Sequence, residues 1–547
     1  MGNRICGFSF LLYFHSEWGK NTSEWGKNTC EGMLIEGGRS VRNRILQFAL
    51  VFLVAGGIIW GLYQLGYLFY VLTISATVVP LAVIMIIFIE NRTAESTIAW
   101  FLVLIFLPIL GVIIWLMFGR NPRRRRRNRR SHDERKLLKQ AIRPVRSLAV
   151  SELPPNHLKL ANTIRNFGGG GVDVHTASEI LTNGEATFPA ILDAIRQAKH
   201  HVHIQYYIYR NDETGKAIRE ALIERLEAGV EVRFMYDGLG SYMLGENFLR
   251  PLRDAGAHIA AYDPISSPLF IFTANFRNHR KIVVVDGKVG FTGGLNVGDE
   301  YDSKSKKFGF WRDTHLRLEG RAVKELQATF LDDWIYAQIE SDDTWETFAG
   351  EETIHQYFPK HDVASDGAIQ IVTSGPTSKD PAIRNALIAA IISAQRSIWI
   401  ATPYLIPDNE TMTLLRLAAR AGLDVRILTP GKGDSFTSYY GTRSYFGPLL
   451  KDGVKIYTYN RHFIHAKLFL VDGKIGAVGT ANMDIRSFVL NYELMAFLYD
   501  TESAEQLERD FIADFDVSIQ LSSNDYVKRP LRFRIFESLS RLISPLL

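Results

Sequence analysis

The sequence predicts an α/β protein: two similar α-β-α sandwich halves with pseudo-two-fold symmetry, preceded by an N-terminal transmembrane helical anchor. Three observations predict it. Uncharged apolar stretches run over Ile45–Ile89 and Ser96–Phe118. A block of helix-like and strand-like segments occurs twice, in the same order, after residue 150. One spaced set of His, Lys, Asp, Gly and Asn closes each copy. Whole-chain values (547 residues, 47% hydrophobic, 22% charged) hide this split and by themselves would suit a plain soluble enzyme.

About 20 apolar residues span a bilayer, so the first stretch has room for two crossings and the second for one. The expected spans are about 45–63, 68–89 and 98–118, within an anchor covering 41–119. Gly61, Gln64 and Gly66 mark the break inside the first stretch, and Glu90–Glu95 forms a polar connector. Pro80 and Pro108 lie within spans, where lipid-embedded helices tolerate proline. Trp60, Trp100 and Trp115 fall toward span ends, as interfacial aromatics do. Residues 1–40 contain the tandem copy SEWGKNT at Ser16–Thr22 and Ser23–Thr29 and read as low-complexity and disordered.

Directly after the anchor, Arg120–Arg130 reads RNPRRRRRNRR, within a basic linker over 120–150. Such a run can be a solvated tether, a nucleic-acid patch or a membrane-apposed segment. Basic clusters beside a span stay cytoplasmic and attract anionic lipid. The position favours lipid over nucleic acid and places the main body in the cytoplasm, at the membrane. The only cysteines, Cys6 and Cys30, precede the anchor, which excludes a disulfide-built fold and Cys-ligated zinc or iron–sulfur sites in the main body.

The repeat sets the architecture. PAILDAIRQAKH feeding HVHIQYYIY matches NALIAAIISAQR feeding SIWIATPYL. AGVEVRFMYDG matches AGLDVRILTPG, LRDAGAHIAAY matches LLKDGVKIYTY, and HRKIVVVDGKVGFTGGLN matches HAKLFLVDGKIGAVGTAN. Helices alternating with short β-branched strands give a layered sandwich in each copy. The first half is expected over 151–340 and the second over 371–547. The Asp-, Glu-, Ser- and Gly-rich 341–370 reads as a linker.

Each copy carries His-x-Lys, four residues, Asp, six residues, then Gly-x-x-Asn: His279, Lys281, Asp286, Gly293 and Asn296, then His465, Lys467, Asp472, Gly479 and Asn482. A single His-x-Lys is a weak signal, but the same spacing in two duplicated domains is not coincidence. In a strand, i and i+2 share a face, so each His and Lys point together. Asp286 and Asp472, seven residues on, fall on the opposite face. Asp-Gly pairs are strong two-residue hairpin turns. Such turns put His279 opposite Gly294 and His465 opposite Thr480, with Asn296 and Asn482 just beyond. Lys and Asn donate to phosphate oxygens, and His can serve as nucleophile or as acid and base. Two facing clusters imply phosphodiester chemistry without metal or other cofactor.

These residues resemble the phospholipase D superfamily, over about 170–547, so each sandwich half is expected to be phospholipase D-like. The segment ENRTAESTIAWFLVLIFLPILGVIIWLMFGR with the following arginines resembles the anchor of bacterial cardiolipin synthases. The family pattern has Gly-Ser-x-Asn after the Asp. Here copy one has Gly293-Gly294-Leu295-Asn296 and copy two Gly479-Thr480-Ala481-Asn482, so copy one lacks the hydroxyl. A third span also departs from the usual two. The resemblance implies that two phosphatidylglycerol molecules give cardiolipin and glycerol through a phosphohistidine. It implies catalytic roles for His279, Lys281, Asp286, His465, Lys467 and Asp472, with His279 the nucleophile and His465 the acid and base. Lys281, Asn296, Lys467 and Asn482 would bind the substrate phosphate. It further implies that Glu493 orients His279 and Asp313 orients His465, each across the halves. The competing readings are a membrane-anchored phospholipase D or nuclease that hydrolyses its substrate, and an inactive membrane scaffold. Intact motifs in both copies speak against the last.

Overall fold

The computed structural model describes residues 56–57, 59–61, 63–64, 66–89, 94–119, 153–266, 273–305, 309–340, 351–378 and 380–543. The expected disordered segment 1–40, most of the first span and the basic linker 120–150 lie outside the described residues. The chain divides into an N-terminal unit through Ile113 and a larger unit from Ile114 to Leu547.

In the N-terminal unit, Leu68–Ile89 is one 22-residue helix without a charged side chain, on the bounds read for the second span. One side of it is exposed and apolar, with Ile74, Val78, Leu81, Met85 and Phe88 all more than half exposed, while Val83 and Ile87 are buried. The stretch read as one span over 98–118 is instead broken. The helix Ala94–Phe106 stops before Pro108, a second piece runs Pro108–Ile114, and a π-helical turn follows at Trp115–Gly119. Proline disfavours helical geometry in the residue before it and lacks the N–H that continues the ladder. Side chains are described for only part of Leu68–Ile89, and among the described residues no helix is long and apolar enough to cross a membrane.

The larger unit contains two sheets of the same plan. The first is built from β1 (Thr176–Thr182), β2 (His201–Tyr206), β3 (Glu231–Asp237), β4 (His258–Tyr262), β5 (Ile282–Val285), β6 (Val289–Gly293) and β7 (Thr314–Gly320). Its order is β1-β7-β6-β5-β2-β3-β4. The second is built from β8 (Ala368–Ser374), β9 (Ser397–Ala401), β10 (Asp424–Pro430), β11 (Lys455–Tyr459), β12 (Leu468–Val471), β13 (Ile475–Gly479) and β14 (Glu493–Tyr499). Their order, β8-β14-β13-β12-β9-β10-β11, is the same permutation, and the short strands Val172–Asp173 and Ser518–Gln520 add to the two edges of this sheet to make nine strands in all. In each, three parallel strands adjoin four antiparallel ones. The parallel strands are joined by crossover helices such as Glu213–Glu227 and Asn409–Arg420. Each of these helices starts at an aspartate, Asp212 or Asp408, whose side chain accepts an N–H of the first turn.

Two boundaries differ from the sequence reading. The helix Pro155–Asn166 and the strand Val172–Asp173 belong to the second half, although they precede the first. Val172 pairs with Gln370, and Leu160, Ala161 and Ile164 join the second half's outer core. The segment read as a linker also contributes to the core in its described part: Ile354 and Tyr357 are buried in the central cluster, and the Tyr357 hydroxyl bonds to Arg233 and Glu231 of the first half. Composition misleads there because a few apolar residues decide burial. The helices Val323–Glu340 and Glu502–Asp516 share that central core with both sheets. Buried Arg312 of the first half pairs with Asp514 of the second at 2.9 Å. The halves therefore meet through one continuous core.

The two motif hairpins show what Asp286 and Asp472 do. Asp286 and Gly287 have φ of 54° and 64°, and Asp472 and Gly473 56° and 70°, as an Asp-Gly turn requires. Lys288 N–H closes the turn on the Val285 carbonyl at 3.0 Å. The ladder, however, resumes with Val285 opposite Val289 and Val471 opposite Ile475. One residue is left unpaired in each hairpin, so the register predicted from a plain two-residue turn is off by one. The Asp286 carboxylate accepts the backbone N–H groups of Lys199, His200 and His201. Asp472 does the same for Gln395, Arg396 and Ser397. Both carboxylates tie the turn to the start of the neighbouring parallel strand, at the end of the sheet away from the histidines. Replacing Asp286 with Ala strands these amides and is expected to lower stability by about 1–3 kcal/mol. Turnover per folded molecule should persist. Thermal unfolding alongside kcat checks this, and complete loss of kcat in folded protein would contradict it.

Candidate active site

The site forms where the two halves exchange short backbone bridges. The residues before each histidine pair in parallel with the residues before the other half's carboxylate. Phe463 and Ile464 lie beside Trp311 and Arg312, and Asn278 lies beside Tyr492. His279 N–H reaches the Tyr492 carbonyl at 3.0 Å and His465 N–H the Arg312 carbonyl at 2.8 Å. Each histidine is thereby held level with an acid of the opposite half.

The side chains follow the backbone. His279 Nδ1 lies 3.0 Å from both Glu493 carboxylate oxygens. His465 Nδ1 lies 2.8 Å from Asp313 Oδ2. A carboxylate only accepts, so each Nδ1 carries the proton and each Nε2 keeps its lone pair. Lys467 Nζ is also 2.8 Å from His465 Nδ1, but that nitrogen cannot accept while it donates to Asp313. Lys467 donates instead to the His465 carbonyl, as Lys281 does to that of His279 at 2.7 Å. Asn296 Oδ1 accepts the Ile208 N–H at 3.1 Å, and the same side chain shares a hydrogen bond with the buried Tyr301 hydroxyl. Asn482 shares a hydrogen bond with Asp484, whose carboxyl burial pushes up to about 6. Asp286 and Asp472 are not part of the cluster.

The two clusters act as one electrostatic unit. All six ionisable groups are buried. Lys281 bears on His465, and Lys467 bears on His279. Burial lowers His279, against the pull of Glu493. Burial, with Lys467 beside it, lowers His465 to about 3. Burial lowers Lys281 to about 7 and Lys467 to about 8. Burial would raise Asp313, but the His465 hydrogen bond and the neighbouring cations outweigh it and hold the carboxyl at about 2. The same contest leaves Glu493 lowered, with His279 as its principal partner. Two carboxylates then face two lysines around neutral imidazoles. Among the described residues no group of three His, Cys, Asp or Glu is gathered for a metal ion.

The halves differ where copy one lacks the hydroxyl. Thr480 Oγ1 donates to Glu493 Oε2 at 2.5 Å, and Asn491 supports the other oxygen at 3.3 Å. Its counterpart is Gly294, where a Cβ would lie 1.9 Å from Asp313 Oδ1. Aspartate is one methylene shorter than glutamate, so its carboxylate occupies the space that the Thr480 side chain fills in the other half. The missing hydroxyl is a steric consequence of the acid chosen.

Sequence reasoning missed several contributors. Tyr207 packs edge-on to His279 at 4.9 Å, with Lys281 Nζ 5.5 Å from its ring centre. Arg280 pairs with Asp333 at 2.7 Å and reaches the Glu493 carbonyl at 3.2 Å. His315 is fully buried beside Gly293, and burial lowers it to about 3. Only the spacing Asp313-x-His315 could have drawn attention to it.

Two duplicated sandwich halves sharing a pair of His–carboxylate dyads and lysines define a phospholipase D-type centre. Residues 191–334 and 387–515 match the family described as "Cardiolipin synthase, PLD-like domain", and residues 78–120 match "Phospholipase_D-nuclease N-terminal". The chain is 50% identical to cardiolipin synthase 1 of Bacillus cereus over 93% of its own length and all of that protein. It is equally similar to cardiolipin synthase 1 of Bacillus anthracis, with the same coverage. A phosphatidylserine synthase from Haemophilus influenzae has a similar fold, with a TM-score of 0.54 and 13% identity over 71% of this chain and all of that one. The chain belongs to the cardiolipin synthases of the phospholipase D superfamily.

The Gly294 contact makes a specific prediction. Gly294→Ala should push the Asp313 carboxylate away from His465 and lower kcat by about 10²-fold. Thr480→Gly, which leaves the His279–Glu493 bond in place, should cost far less. Steady-state kinetics of both variants check this, and a fully active Gly294→Ala enzyme would contradict the steric argument.

Proposed function

We propose that the larger unit transfers a phosphatidyl group from one phosphatidylglycerol to a second, giving cardiolipin and glycerol, with His279 as nucleophile and His465 as general acid and base. The reciprocal pairing of each histidine with a carboxylate of the other half carries this reading, together with the 50% identity to cardiolipin synthases. His279 donates Nδ1–H to Glu493, so its Nε2 lone pair is available for attack on phosphorus. The N–P bond forms as the P–O bond to glycerol breaks, and His465 gives its proton to the leaving oxygen. His465 then takes the hydroxyl proton of the second phosphatidylglycerol. The resulting alkoxide attacks phosphorus, the P–N bond breaks, and His279 is restored.

Charge balance supports the division of labour. Without substrate, two carboxylates face two lysines whose protonation burial weakens, and burial keeps the imidazoles neutral. An arriving phosphodiester adds one negative charge. That favours protonated lysines and one imidazolium, the form His465 needs as an acid. Lys281, Lys467, Asn296 and Asn482 are the proposed phosphate-binding groups, a preorganised electrostatic site that calls for no cofactor.

The unequal roles predict unequal failures. His279→Ala should abolish both transfer and hydrolysis, because no covalent intermediate can form. His465→Ala should recover partial phosphorylation of His279 with a p-nitrophenyl phosphodiester, since general acid help is worth about 10²–10⁴-fold and matters least for a good leaving group. Mass spectrometry after acid-free quenching locates the group, and label on His465 would reverse the assignment. Phosphatidic acid in place of cardiolipin from phosphatidylglycerol alone would identify a hydrolase.

The same reading places the protein as a multi-pass protein in the bacterial plasma membrane, with its catalytic halves on the cytoplasmic side. Support comes from the uncharged helix Leu68–Ile89, with its exposed apolar side, and the arginines that follow the anchor. Each basic residue near an anionic leaflet contributes about 1 kcal/mol. A reporter fused to the C-terminus should read as cytoplasmic, and an external signal would overturn the placement.

A further inference from the structure

We infer that the C-terminal helix Leu531–Ile543 is an interfacial docking element that seats the catalytic unit on an anionic phospholipid bilayer. The helix has two distinct faces. Phe533, Phe536, Glu537 and Ser540 turn inward. The Phe536 ring lies 5.2 Å from Phe436 and 5.3 Å from Tyr440. Glu537, 2% exposed, pairs with Arg529 at 2.7 Å and Arg443 at 3.5 Å. On the outward face, Leu531, Ile535 and Leu539 recur every fourth residue and so stack in one stripe. They are 67%, 49% and 56% exposed.

Charge complementarity identifies the partner. Arg532 borders the stripe on one side and Arg534 on the other, both exposed. The helix's single acid, Glu537, is buried on the inward face. An apolar stripe edged by arginines suits a helix lying in the plane of a lipid surface. The leucines and isoleucine enter the acyl boundary while the arginines reach phosphate groups. A second copy of the chain fits worse, because a two-fold contact would bring the same arginines together.

The helix also sits where docking would serve the site. Its inward face packs on Phe436–Arg443. That helix in turn lines a small surface cleft with Tyr404, Asp434 and Phe463. Phe463 is two residues before His465. One helix therefore separates the lipid-facing stripe from a cleft beside the acid and base.

The choice of a bilayer rests on the lipid-substrate reading above, so the first readout avoids turnover. The full chain carrying Cys6→Ser, Cys30→Ser and Ile535→Cys is labelled with an environment-sensitive fluorophore and reconstituted in phosphatidylglycerol-containing vesicles. A label at Glu224, on the outer face of the first half, sets the baseline. Quenching by a headgroup-proximal nitroxide lipid at residue 535 and not at 224 is the expected result. Equal quenching at both positions, or none at 535, overturns the proposal, as does shielding of the label in detergent by self-association. In the second readout, the triple variant Leu531→Glu, Ile535→Glu, Leu539→Glu should turn over a short-chain, monomeric phosphatidylglycerol normally. On bilayer substrate it should lose about tenfold or more. Equal loss on both substrates would overturn docking. Retained quenching with no cardiolipin formed would instead count against the proposed reaction and leave docking standing.

Discussion

The hydrogen bond between each histidine and a carboxylate of the opposite half is the interaction on which the rest depends. Neither half holds a complete dyad. His279 needs Glu493, 214 residues away, and His465 needs Asp313, 152 residues away. Both acids are fully buried, and an ionised carboxylate is stable there only with hydrogen-bonding and charged partners. Separating the halves would strand both. The site and the interface are therefore one structure, secured by the parallel bridges at Trp311–Arg312 and Asn278–Tyr492.

Within this symmetric plan, the dyads have diverged in a way that suits unequal work. The His279 peptide is clamped by buried ion pairs, Arg277 with Asp237 and Arg280 with Asp333. The equivalent positions around His465 carry Phe463 and Ala466, packed apolar residues. Glu493 receives Thr480 and Asn491 as extra donors, while the shorter Asp313 excludes any side chain at Gly294. A rigid mount agrees with the nucleophile role proposed for His279, whose nitrogen would meet phosphorus in line. His465 instead has Lys467 Nζ 2.8 Å from its Nδ1 beside the Asp313 carboxylate, and the apolar Phe463 and Ala466 flank it in the chain.

Much of the fold and of the site is legible in the amino-acid order, because duplication amplifies weak signals. The repeated blocks imply two sheets of one plan, and the strand order of both sheets is the same permutation. The alternation of strand faces separates Asp286 and Asp472 from the histidines, and both carboxylates indeed cap backbone amides instead. Assigning them catalytic roles followed the family resemblance against that alternation. The hairpin register is one residue off, since turn type alone does not show that Lys288 and Lys474 drop out of the ladder.

Local order in the chain dictates the strand and helix periodicity, the His-x-Lys spacing that puts both side chains on one face, and the Asp-Gly turns. The meeting of distant surfaces dictates the rest. Residues 155–173 join the second half because their apolar side chains fit its outer core and its free sheet edge. The segment around Ile354 is core because Ile354 and Tyr357 bury against the central cluster, where Tyr357 meets Arg233 and Glu231 far away in the chain. Gly294 is glycine because the Asp313 carboxylate occupies the volume beside it. Such outcomes turn on distances of an ångström or two between segments far apart in the chain, and periodicity carries no record of them.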